Sequence, residues 1–284
     1  MAGMASDSRF AVLIDADNVS GKYIKLILDE ISKDGVATYK RIYGDWTNPA
    51  LVSWKSVLLD YSVMPIQQYS YTTGKNSTDS AMIIDAMDIL YSGKVEGFCL
   101  VSSDSDFTRL AARLRESGMT VIGMGESKTP NSFIAACNKF KYLDILSAAD
   151  EEEGEEELGK RSSQKKAPAK KTAPQKKAEK EQKADKEQKD SQGKKAQEPV
   201  EEPRTSLRTI RRALRTIVRE NSDEDNWIIV GKVGNILDKR YPDFDVRNFG
   251  FSKLTPFLES LDMFDIQSMK KDGNNFPQMY IRLR

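Results

Sequence analysis

The stretch FCLVSSDSDFTRLAARLRESGMTVIGM, residues 98–124, decides how the first half of the chain is read. It begins with an apolar run closed by a serine (Phe98–Ser102) and passes through a second serine and two aspartates. Apolar residues then recur at helical spacing over Phe107–Ser117, and a second β-branched run follows at Thr120–Met124. That is a strand, a helix and a strand. A strand apolar at every position, rather than every second one, belongs in a parallel sheet covered on both faces. The same alternation extends outward. Strands are predicted at Phe10–Ile14, Val36–Tyr43 and Val63–Tyr69, with a last one near Tyr142–Ile145, and helices at Lys22–Ser32, Leu51–Asp60, Asp79–Ser92 and Asn131–Cys137. The fold class that follows is α/β, a Rossmann-like parallel sheet flanked by helices.

Composition narrows the chemistry. The 284 residues contain no histidine, which removes Ser-His-Asp and Cys-His triads, imidazole bases and almost every common zinc site. Cys99 and Cys137 are the only cysteines, far apart and set in apolar runs, so they are expected to be reduced core residues of a cytoplasmic protein. Met1–Phe10 lacks the basic-then-apolar pattern of a signal peptide, and no apolar run approaches the roughly 20 residues of a membrane span. Lys and Arg (44) nearly balance Asp and Glu (43), yet residues 1–150 carry a net −3 and residues 204–284 a net +4. An acidic module that holds metal and a basic one that holds phosphates would divide charge in this way.

Carboxylates are therefore the obvious catalytic groups, and they cluster. Asp15, with Asp17 and Asn18, follows the first strand directly; Asp104 and Asp106 follow the strand at Phe98 through Ser102 and Ser103; Asp79 begins a helix after the polar loop Thr72–Thr78. Ligands of open parallel sheets bind beyond the carboxyl ends of strands, where two of these groups lie. Phosphodiester hydrolysis needs an activated water and a stabilised leaving oxygen, and Mg²⁺ or Mn²⁺ held by carboxylates can supply both. Each aspartate taken alone would serve equally well as a helix N-cap, and Asp85 and Asp88 sit mid-helix, where a solvated face is the ordinary explanation. No GxGxxG follows the first strand, so a dinucleotide cofactor is not expected.

Beyond residue 149 the composition changes twice. Residues 150–204 contain no aromatic residue, and Leu158 and Val200 are their only large aliphatics, so a disordered charged linker is expected there. Residues 205–284 are patterned again. Leu207, Ile210, Leu214, Ile217 and Val218 share one helical face; further helices are predicted within Trp227–Leu237 and over Ser252–Leu261; Ile266–Met269 and Met279–Leu283 flank a turn at Lys270–Asn275. Helices followed by a hairpin suggest a winged helix-turn-helix. Arg208, Arg211, Arg212, Arg215 and Arg219 form a stripe on the first helix that could track phosphates or simply face solvent.

Three segments, VLIDADNV, GKNSTDSAMIIDAMDIL and LVSSDSDFTRLAARLRESGMTVIGMG, resemble the signature motifs of NYN domains, a branch of the PIN-like nuclease superfamily, over about Arg9–Leu146. That resemblance implies RNA cleavage with a divalent metal held by acidic residues. By position it makes Asp15, Asp79, Asp104 and Asp106 the metal ligands, Asn18 a catalytic partner, and Lys75 and Ser103 contacts to substrate; Asp17 and Asp85 are the further acidic positions of the same motifs. The segment from Asn226 to Ile266, with FDVRNFGFSKL at its centre, and the closing MYIRLR resemble the OST-HTH/LOTUS domain over about Leu207–Arg284; its members bind RNA or protein partners such as helicases. It implies RNA contacts at Lys232, Arg247, Asn248, Lys253, Lys270 and Lys271, beside Arg211 and Arg215 of the stripe. PIN-like proteins often self-associate, so a homo-oligomer is a further expectation of the resemblance. The expected function is a metal-dependent ribonuclease, endonucleolytic, with a tethered RNA-binding domain; the alternative is a non-catalytic RNA- or protein-binding adaptor.

Overall fold

Strands that are apolar on both sides need two layers of cover, and the chain supplies them. The computed structural model describes residues 8–69, 77–150, 205–270 and 276–284. Six strands, β1 (Arg9–Asp15), β2 (Val36–Gly44), β3 (Met64–Gln67), β4 (Gly97–Val101), β5 (Thr120–Gly125) and β6 (Lys139–Tyr142), form one sheet in the order β3-β2-β1-β4-β5-β6. Every neighbouring pair is parallel.

Alternate residues of each strand feed opposite cores. Val12, Ile14, Cys99, Val101, Ile122 and Met124 pack under α1 (Ile24–Ser32) and α2 (Val52–Leu58), which contribute Ile27, Ile31, Trp54 and Leu58. Leu13, Phe98, Leu100 and Val121 pack on the other face under α3 (Ser77–Ser92), α4 (Thr108–Glu116) and α5 (Asn131–Ala136), through Met82, Ala86, Leu110, Leu114 and Phe133. Full burial of each such side chain contributes about 1.5–3 kcal/mol. Both cysteines are buried, and desolvation pushes the Cys137 thiol up to about 12.

One predicted strand moves and a helix takes its place. The last strand lies at Lys139–Tyr142 rather than near Tyr142–Ile145, and residues 143–150 are helical (α6). Phe140 and Tyr142 drive this change: both point into the core beside Phe133, with Phe140 edge-on to each at 6.0 and 5.2 Å, whereas Leu143 and Leu146 pack as helical neighbours. Asp85, left open as a metal ligand, instead accepts hydrogen bonds from the Tyr43 hydroxyl and the Arg41 guanidinium and ties α3 to β2.

The C-terminal part contains α7 (Leu207–Asn221), α8 (Val230–Arg240), α9 (Leu254–Ser260) and the strands β7 (Ile228–Ile229), β8 (Phe264–Met269) and β9 (Gln278–Leu283). The predicted hairpin is present, and it gains β7 on its far edge to make an antiparallel sheet in the order β7-β9-β8. Ser206 caps α7 by accepting from Thr209 N–H, and the buried face Ile210, Leu214, Ile217 and Val218 packs against Val233, Leu237, Phe257 and Ile281. Residues 151–204, expected to be a linker, and Lys75 and Lys271 lie outside the described residues. Both described parts belong to one compact unit.

The β5–β6 contact sets a limit on side-chain size. A Cβ at Gly123 would sit 2.5 Å from the Phe140 ring and 2.8 Å from Cys137 Sγ. Gly123→Ala is therefore expected to lower unfolding free energy by about 1–3 kcal/mol, read as a shift in the urea midpoint at unchanged slope.

Candidate metal centre

Strand order reverses between β1 and β4: β2 lies on one side of β1 and β4 on the other, each reached by its own crossover. At such a switch point the loops after the two strands part and leave a crevice. Asp15 ends β1 there, and Ser102–Asp106 follow β4.

Asp15 has no exposed surface, and every hydrogen bond it accepts is local to the crevice. Its Oδ2 accepts from Asn18 Nδ2 at 2.7 Å and from Ser102 Oγ at 2.8 Å, and its Oδ1 from the Asp17 N–H at 3.1 Å. Burial nevertheless outweighs these donors and raises its pKa. Ser102 also accepts the Asp104 N–H at 3.1 Å, so one hydroxyl links both strand ends. Asp104 caps the turn after β4, its Oδ1 accepting the Asp106 N–H at 2.9 Å. Gly125 lets β5 close in behind: a Cβ there would meet the Ser102 carbonyl at 2.6 Å.

Asp79, in the first turn of α3, completes the crevice. Carboxylate oxygens of Asp79, Asp104 and Asp106 lie within 4.8 Å of one another. An octahedral Mg²⁺ with oxygens at 2.0–2.1 Å spaces its ligands about 3 Å apart in cis and about 4 Å in trans, so this span suits a hard divalent cation. The electrostatics agree. Asp79 is 8% exposed, and its carboxyl is pushed up to about 6, first by burial and then by the charges of Asp15, Asp104, Asp106 and Asp17.

The remaining sequence-derived sites divide clearly. Asp15 borders the three-aspartate group, its Oδ2 accepting from Asn18 and Ser102 and its Oδ1 from the Asp17 amide. Ser103, expected at the substrate, is buried and accepts the Glu126 N–H at 2.9 Å. Asp17 is exposed and accepts from Thr78 Oγ1 at 2.9 Å, joining the β1 loop to the start of α3. Ser102 and Thr78 were missed by sequence reasoning; a hydroxyl set between an apolar strand and an acidic turn is the only signal that marks Ser102. In the C-terminal part, Arg215, Lys232, Lys253 and Lys270 are exposed. Arg211 is exposed too, but anchored, its Nη2 donating to the Leu261 carbonyl at 2.8 Å and its Nε contacting Met263 Sδ. Arg247 is engaged by Glu30 and Asp245, and Asn248 Nδ2 donates to the Asp243 carbonyl at 2.9 Å.

Comparison with known proteins matches the NYN domain to residues 9–144 and the OST-HTH/LOTUS domain to residues 204–276. No curated protein matches the chain. Among solved structures, a protein of unknown function from Vibrio parahaemolyticus is 17% identical at a TM-score of 0.41, covering 49% of this chain and 95% of its own. An uncharacterized protein from Nitrosomonas europaea is 27% identical at a TM-score of 0.26, covering 34% of this chain and 91% of its own.

The repulsion at Asp79 carries a stability cost with a definite sign. Its carboxyl in the folded chain titrates at about 6, above the ordinary 3.8, so folding stability falls as pH rises through that window. Asp79→Asn removes the repelled charge. In EDTA it is expected to stabilise the protein by about 1–3 kcal/mol at pH 7.5 and hardly at all at pH 4, checked by thermal denaturation at both pH values.

Proposed function

Starting from a chain that joins an NYN domain (residues 9–144) to an OST-HTH/LOTUS domain (residues 204–276), we propose that the protein is a metal-dependent endoribonuclease. The observation that carries this reading is the group Asp79, Asp104 and Asp106 at the sheet's switch point, with Asp79 held at a raised pKa by burial and then by the charges of its neighbours. Three carboxylates that repel one another are the donor set that a hard cation relieves.

In this reading Asp79, Asp104 and Asp106 hold Mg²⁺ or Mn²⁺. The bound ion would supply a Lewis acid and an acidified water for attack on the phosphodiester. The protein's own residues set the geometry. Asp15, buried and gripped by Asn18 and Ser102, keeps the β1 and β4 loops at a fixed separation and adds negative potential beneath the three ligands. Asn18, expected from the sequence to orient water, would act through Asp15. Asp104 is held to one rotamer by the Asp106 amide, so ligation orders little that is not already ordered. The OST-HTH domain would contribute RNA affinity through exposed cations, among them Arg208, Arg212, Arg215, Lys232 and Lys253.

The test is cleavage of a labelled linear single-stranded RNA and its circularised form, with Mn²⁺, Mg²⁺ or EDTA. The wild type is expected to cut both forms only with metal, since a circle has no end for an exonuclease to enter. Asp104→Asn should lose at least 100-fold in rate while keeping its melting temperature. Metal affinity should rise between pH 5 and pH 7, because in the metal-free site a proton on the Asp79 carboxyl, held up to about 6, competes with the ion. Wild type that binds both RNAs and leaves them intact under every condition would replace this reading with that of a non-catalytic adaptor.

A further inference from the structure

The C-terminal part meets the first domain along the free edge of β6 and the end of α1. The Phe140 N–H donates to the Pro242 carbonyl at 2.6 Å. The Tyr142 hydroxyl donates to Asp243 Oδ2 at 3.2 Å, an oxygen that also accepts the Thr205 N–H at 2.7 Å. Between these contacts and α1 lies an ion pair with fork geometry. Arg247 Nη1 and Nη2 donate to Glu30 Oε1 and Oε2 at 2.7 and 3.0 Å. Glu30 is 1% exposed, on the last turn of a helix in the other domain.

A fork on a buried carboxylate usually behaves as a weld, because pulling it apart strands an ion in a desolvated site. Here each partner keeps a second counterion on its own side. Arg247 Nη2 also donates to Asp245 Oδ2 at 2.6 Å. Glu30 also binds Lys33 and, at 3.0 Å, Lys141, which is shared with Asp34 at the same distance. Separation leaves both ions paired. Beside the fork lies a crevice of ≈ 540 Å³ in which Lys33, Lys139, Lys141 and Arg247 face the carboxylates of Glu30, Asp34, Asp238 and Asp245, so its cations are neutralised from within the protein while the clasp is closed. Carboxylate and phosphate oxygens present the same bidentate face to a guanidinium.

We propose that this interface is a reversible ionic clasp in which Glu30 occupies Arg247 in place of an RNA phosphate, so that domain docking and RNA binding at Arg247 exclude one another. This inference rests on the RNA-binding half of the proposed function. A phosphodiester offers the guanidinium the same two-oxygen face and the same unit charge as Glu30, and a strand of RNA adds neighbouring phosphates for the lysines beside it.

The Phe140 amide reports the clasp directly, since it is protected only while Pro242 is in place. Hydrogen exchange of the full chain in EDTA is expected to show Phe140 protected without RNA and at least 10-fold faster at saturation with a single-stranded oligoribonucleotide. Glu30→Gln should speed Phe140 exchange without RNA and tighten RNA binding several-fold by fluorescence anisotropy. The Leu13 and Leu100 amides in the central strands should stay protected throughout, which separates undocking from unfolding. RNA that binds while Phe140 remains protected overturns the clasp and leaves the proposed function standing. A Glu30→Gln chain that binds RNA no tighter than wild type, with Leu13 protected, also overturns it. RNA that does not bind at all overturns both.

Discussion

A carboxylate without exposed surface must find donors inside the protein, and Asp15 finds its donors on two loops that would otherwise part. Asn18 and the Asp17 amide come from the β1 loop, and Ser102 from the end of β4. Parallel neighbours are connected by long crossovers, and a crossover does not by itself keep those two loops in register beyond the last ladder bond. The Asp15 cluster supplies that link. Ser102 passes it on to the Asp104 amide, and Thr78 extends it through Asp17 to the start of α3. The positions of Asp79, Asp104 and Asp106 therefore depend on one buried side chain that lies outside their group.

This arrangement divides labour among five acids. Hydrogen bonds hold Asp15 and Asp104 in place, whereas Asp79 sits where repulsion from all the others accumulates. A protein built only for stability would replace Asp79, since a neutral amide there would relieve the strain. Retaining it is the kind of local conflict expected where a site is kept ready for a cation.

Much of this was legible in the sequence, for reasons that differ from element to element. β1, β4 and β5 were clear because strands buried on both faces write themselves as unbroken apolar runs, and the acidic turns after β1 and β4 were clear because they interrupt those runs. Periodicity cannot decide between strand and helix in so short an apolar stretch as residues 139–146, so β6 was misplaced by three residues. Asp85 could not be separated from a metal ligand because its partners, Arg41 and Tyr43, are more than 40 residues away. Arg211 and Arg247 read as free cations for the same reason: Leu261 and Glu30 are 50 and 217 residues distant. Spacing reports what a residue's own element does with it and is silent on what another element brings.

The chain's soft donors tell a complementary story. It has no imidazole, and its two thiols are sealed in the core, with Cys99 fully buried and desolvation raising both far from the thiolate form. Thiolates and imidazoles are what zinc and copper compete for most strongly, and affinity order alone would favour those metals over magnesium. An ion arriving at this surface meets oxygen ligands only. A crevice built from oxygens alone withholds the ligands that zinc and copper prefer, so what selectivity it can offer comes from the chain's composition before its geometry.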